Sequence, residues 1–318
     1  MSKVFMVVFL IFGTIVGSGF ATGKEIVVFF SRFGEWSYFF IVCAGILLYF
    51  IIQFFLTKAS RSLEKIENSK LLNLFVIFNS MVFCASMFAG IQSLFYDFNK
   101  VVFSILIAFV LLVCLVILLK GVKGIEKTNL VLMPIAAIIF LLVLLVCLSK
   151  NSSISASVSP WAGILYTPLY VAMNTSLSGI VISKAGEGMT KKQTRLASLF
   201  SVLIVVLFLM LGNFVLQHNQ EMFLSDMPFL SLVKENSFVY VLAFIVVLVS
   251  CFTTLISMCF TLKNSLYKLI KNQTLSNMVA VFIPFFISSL GFSPIVSFLY
   301  PLCSVLSLFV LIFFFIFA

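Results

Sequence analysis

The stretch FGTIVGSGFATGKEI, residues 12–26, sets Gly13, Gly17, Gly19 and Gly23 inside an otherwise apolar run. Glycine weakens a helix by about 1 kcal/mol relative to alanine, so these four bias the segment toward unwinding. In hydrocarbon an unpaired backbone N–H or C=O costs several kcal/mol, so irregular backbone must be covered by protein or line a cavity. The chemistry open to such a break is ligation by the main chain. Freed N–H groups at helix N-termini suit a carboxylate, and freed carbonyls can replace the water shell of a small hard cation. A second reading competes. Gly13/Gly17 and Gly19/Gly23 both have GxxxG spacing, which lets membrane helices approach closely. The pattern is not a dinucleotide fingerprint, because no strand–helix context surrounds it.

A second interruption favours the break. The segment SPWAGILYTPLYVAMNTSLSGIVISKAGEG is apolar toward both ends, yet carries Asn174, Thr175, Ser176, Ser178 and Gly179 between them, with Pro160 and Pro168 upstream. The two interruptions centre near residues 18 and 176, half a chain apart. Paired interrupted segments at corresponding places in two halves point to an inverted-repeat transporter and its binding site. No convincing side-chain identity links the halves; hydropathy and break position carry the repeat.

The elements that must position these groups are membrane helices. Of 318 residues 63% are hydrophobic and 9% are charged, and 40 are Phe. A soluble domain is roughly 45–50% apolar and about 25% charged, so this chain cannot dress a water-facing surface. Ten apolar segments of about the length that crosses a bilayer are expected at 4–30, 36–57, 71–97, 101–120, 128–148, 160–184, 196–217, 237–262, 276–291 and 294–317. They form a single transmembrane domain, 1–318, with five-helix repeats at 1–157 and 158–318. Lys3 precedes the first run, but no small-residue cleavage site follows, so that run is read as a retained helix.

Lys and Arg set the orientation. With a cytoplasmic N-terminus, Lys24, Arg32, Lys100, Lys150 and Lys234 fall outside and the other fifteen of the twenty fall inside. The alternation places both termini in the cytoplasm of a cell-membrane protein. It also explains the net charge of +10 by topology and anionic-lipid contact rather than by nucleic acid. All seven cysteines lie within apolar runs and fit neither a disulfide framework nor a zinc site. The longest loop, around 218–235, holds the only histidine, His218. An intramembrane enzyme lacks general acid–base candidates at the segment centres, and a channel lacks a recognisable filter or charged ring.

Five plus five helices with the first and sixth broken resemble the LeuT-type fold of the amino acid–polyamine–organocation superfamily. GTIVGSGFATGKEI, the ten spans and the short loops resemble the YkvI-like membrane proteins in that group. The resemblance implies an all-α fold and alternating-access transport of a small amino-acid-like solute. It also implies a sodium site formed by the carbonyls of Gly13 and Val16 with Ser250, Thr253 and Thr254 of the eighth helix. Those three share one helix face; local bonding to i−4 carbonyls is the plainer account of them. Proton-coupled relatives place a lysine from the fifth helix at the ion site. Here that helix has no ionisable residue, which favours sodium. Substrate is expected beside Gly17, Ser18, Gly19, Asn174, Thr175 and Ser176, with Asn79 or Ser80 from the third helix. No aromatic hydroxyl stands at mid-depth in that helix, and the substrate class stays open. Lys24 and Glu25 are expected to line an outer gate, paired with each other, or else to snorkel to the interface. A nutrient sensor on the same scaffold would need the same pocket. No cofactor is expected beyond sodium, and the oligomeric state is left open.

Overall fold

The computed structural model describes residues 2–57, 70–96, 98–149, 156–176 and 178–316. The basic residues Lys58, Arg61, Lys65 and Lys150 used for orientation lie outside these. The described residues form helices, turns and no strand. The first apolar run is divided into α1 (Ser2–Ile15), α2 (Ser18–Ala21) and α3 (Lys24–Phe29). A 3₁₀ turn at Ser31–Phe33 leads into α4 (Trp36–Thr57). There follow α5 (Lys70–Leu94), α6 (Lys100–Leu119) and α7 (Val122–Val146). The second interrupted run is α8 (Ala162–Ser176) and α9 (Ser178–Gly186), separated by residue 177. The chain continues as α10 (Lys191–Gln217), the short α11 (Pro228–Leu232), α12 (Ser237–Ile270) and α13 (Gln273–Ile287). A π turn at Ile295–Leu299 then opens α14 (Tyr300–Ile316).

Seven helices are long and apolar enough to cross a membrane: α4, α5, α6, α7, α10, α12 and the run Gln273–Leu290. Several begin at polar caps that the sequence supplies. Asn99, Asn236 and Asn272 accept from Val101, Val239 and Leu275 backbone N–H groups, and Thr190 with Gln193 forms a capping box at α10. Each cap satisfies an orphan N–H that the helix itself cannot.

Beyond its first turn α1 is apolar on every side, and most of it is enclosed, with Phe5 left half exposed. It packs against α7, α9, α10 and α12, with Val7, Leu10, Ile11 and Phe12 buried. Around it α5 lies along α12 and α13, α4 along α8 and α10, and α14 along α8. The lipid-facing character of α6 follows from its exposed Val101, Ile105, Phe109 and Leu112. The helix carrying the first break thus sits at the centre of the bundle, where freed backbone groups have protein rather than lipid around them.

Candidate functional site

The first break is built by its hydrogen bonds. Val16 N–H still donates to Phe12 O, but Gly17 N–H turns to Ile15 O instead of Gly13 O. The Gly13 carbonyl leaves the helical ladder, and Thr254 of α12 takes it, with Thr254 Oγ1 2.8 Å from Gly13 O and 3.4 Å from Val16 O. Both residues expected to offer carbonyls to a cation are therefore gathered by one expected partner. Ser250 Oγ is buried without a partner among the described residues. Thr253 turns elsewhere, its hydroxyl 2.9 Å from Val249 O and 3.3 Å from Met133 Sδ. Residues 250, 253 and 254 do not all point one way, because an i, i+3, i+4 set spans a wide arc and the 253 hydroxyl bonds to its own helix.

The glycines serve approach. A Cβ at Gly13 would lie 1.9 Å from Asn129 Oδ1 of α7, one at Gly17 3.3 Å from Thr254, and one at Gly19 2.8 Å from Glu25 Oε2. At Gly13 and Gly19 the missing side chain is replaced by a polar group from another element, and at Gly17 by the Met87 methyl and Thr254. Gly23 turns the chain into α3 with φ +88°, a conformation only glycine adopts without strain.

Glu25 departs most from its expected place. It is 3% exposed, and its Oε1 accepts from Asn174 Nδ2 at 3.1 Å. It does not pair with Lys24, whose amine donates to Phe223 O at 3.1 Å and Ser225 O at 2.9 Å in the 218–235 loop. Lys24 turns to the loop and Glu25 to the bundle interior, because adjacent residues on a helix lie about 100° apart. The same loop closes over the break through Phe229, whose N–H donates to Thr22 O at 3.0 Å and whose ring rests on Gly23.

Between the breaks lies a small cavity with room for about one water-sized body. Its wall takes Thr14 and Gly17 from the first break, Glu25 from α3, Asn174 from α8, Thr254 from α12 and Tyr300 from α14. Phe83, Met87, Met173 and Met258 are among its apolar lining. Of the expected substrate residues, Gly17 and Asn174 line this cavity and Gly19 packs on Glu25. Ser18 opens α2, and its side chain lies outside the described residues. Thr175 is turned to its own Val171 carbonyl at 2.7 Å, and Ser176 is buried with its hydroxyl unpartnered among the described residues. Asn79 is absent from the lining; its Nδ2 donates to Ser307 Oγ on α14 at 3.2 Å.

Sequence reading missed two contributors. Asn129 is visible as an amide inside an apolar run, in KTNLVLMP, but the sequence does not say that it faces Gly13. Tyr300 supplies an aromatic hydroxyl from α14, 2.8 Å from Ser86 Oγ of α5. The signal, Pro294 and Pro301 around the π turn, marks an irregular helix without saying where its tyrosine points.

These features define a helical membrane protein whose centre is a polar cavity between two interrupted helices. No protein-family model matches the chain. It is similar to the protein of Bacillus subtilis (strain 168) named uncharacterized membrane protein YkvI, 24% identical over 318 residues that cover 94% of this chain and 92% of that one.

Proposed function

We propose that the protein is a secondary active transporter of the cell membrane. On this reading ten spans in a LeuT-type 5+5 inverted repeat, with both termini cytoplasmic, move a small amino-acid-like solute by alternating access. Sodium is the coupled ion, carried as co-substrate by the carbonyls of Gly13 and Val16 with Thr254 and Ser250. The molecule acts as a carrier and not as an enzyme, with the solute and the bilayer as its partners. The supporting observation is that interrupted helices from opposite halves of the chain meet at one buried polar cavity, bridged from Asn174 to Glu25. Backbone carbonyls freed by a helix break at the centre of a bundle are suited to a desolvated cation.

The test is uptake of a radiolabelled amino-acid panel into proteoliposomes with and without an inward sodium gradient. Sodium-stimulated uptake, lost in Thr254→Ala and retained in Thr254→Ser, is the expected result. Uptake indifferent to sodium removes the coupling assignment. Saturable binding with no flux assigns the scaffold to sensing instead.

A further inference from the structure

Glu25 is a buried carboxylate without a counter-charge among the described residues. Its partner Asn174 is neutral, and the nearest basic residue in sequence, Lys24, is committed to two loop carbonyls. The elements packed on α3 are α2, the 3₁₀ turn, α8, α10 and the π turn. Their charged side chains lie elsewhere. The Arg32 guanidinium rests 4.1 Å from the centre of the Tyr166 ring. Lys191, Lys192 and Arg195 are exposed at the far end of α10, and Lys184 stands in the last turn of α9. Tyr170, one helical turn before Asn174, is buried with its hydroxyl unpartnered among the described residues.

An ionised carboxylate withdrawn from water without compensation costs several kcal/mol. The cavity beside Glu25 contains no basic lining residue, and two of its walls are the aromatic rings of Phe83 and Tyr300, stacked 4.8 Å apart. Acidic and aromatic walls both favour a cation. The free space matches the head of a primary ammonium, and the flexible Met87, Met173 and Met258 side chains are the groups that can shift for an aliphatic remainder.

We propose that Glu25 is the counter-ion for a protonated amine on the solute, with Asn174 holding the carboxylate in place. Glu25 is then a ligand for the substrate itself rather than part of an outer gate. The inference rests on the transporter reading for there being a small organic solute, but binding tests it separately from flux.

The experiment is thermal-shift and calorimetric binding on the purified full chain at fixed pH and sodium. The probes are the amino acids, each with its decarboxylated amine and its deaminated acid. Amines and amino acids are expected to bind and the acids to be silent. Glu25→Gln should weaken amine binding roughly 30-fold or more, the scale of removing one partner of a buried charge pair, and Glu25→Asp should keep part of it. Monodispersity of Glu25→Gln on size exclusion controls for folding, and the wild-type amine-against-acid comparison needs no variant at all. Binding of the acids alone, or of no amine in the panel, overturns the proposal. So does unchanged amine affinity in Glu25→Gln. Glu25-dependent amine binding without liposome uptake upholds it while the transporter reading fails.

Discussion

At the scale of single residues, the unwound stretch is held open by side chains that reach in where glycine leaves room. Asn129 Oδ1 occupies the place of a Gly13 side chain and has no hydrogen-bond partner among the described residues. Gly13→Ala therefore forces α1 and α7 apart, and overpacking of this kind costs about 1–3 kcal/mol. The expected outcome is a lower melting temperature for Gly13→Ala in detergent, partly restored by adding Asn129→Ala. Thr254 matters for a different reason. Removing its hydroxyl leaves the Gly13 carbonyl buried and unpaired, worth about 1–3 kcal/mol, so Thr254→Ala is expected to lose stability as well as uptake, and Thr254→Ser to keep both. Glu25 is the instructive misplacement: its charge and position were plain in the sequence, but its direction was not.

At the scale of elements, α3 is fastened on both sides. Ser31 Oγ donates to Asn213 Oδ1 at 2.9 Å, Asn213 Nδ2 donates to Ser37 Oγ at 2.7 Å, and Gln217 Nε2 reaches the Gly34 carbonyl at 3.0 Å. These bonds tie the turn after α3 to α10. On the other side Lys24 draws in the 218–235 loop. Hydrogen bonds to a charged donor contribute about 1.5–3 kcal/mol. Lys24→Met keeps the aliphatic stem and loses those bonds, so protease added from outside is expected to cut within 219–232 faster than in the wild-type protein. Equal cleavage rates would show that Phe229, packed on Gly23 and 5.7 Å from the Phe140 ring, holds the loop unaided. The loop's length and position were plain in the sequence; its seat over the break comes only from packing.

At the scale of the whole molecule, orientation is the property most open to test. Leu224 is 92% exposed at the end of the 3₁₀ turn Gln220–Leu224. With the N-terminus in the cytoplasm this loop faces outward, so Leu224→Cys is expected to react with a membrane-impermeant maleimide on intact cells. The native cysteines provide a low background, five of the seven being buried and Cys43 and Cys147 half-buried. Labelling only after permeabilisation would invert the topology. The two interrupted runs also meet at the opposite end of the bundle, where Lys3 Nζ donates to the Glu187 carbonyl. The two interrupted runs are thus linked at that end as well as through Asn174 and Glu25.

Composition alone determined that this chain is a helical membrane protein, because a chain with 63% hydrophobic and 9% charged residues has one solvent in which its backbone and side chains are both satisfied. The glycine and Asn-Thr-Ser interruptions likewise located the breaks, since local helix propensity acts within a few residues. Tertiary structure alone decided what fills the breaks. Asn174 and Glu25 are 149 residues apart and Thr254 and Gly13 are 241 apart, and which face of each helix turns inward depends on packing against several neighbours at once. A glycine in the sequence records only that a side chain is missing; the identity of the group that takes its place is fixed by the fold.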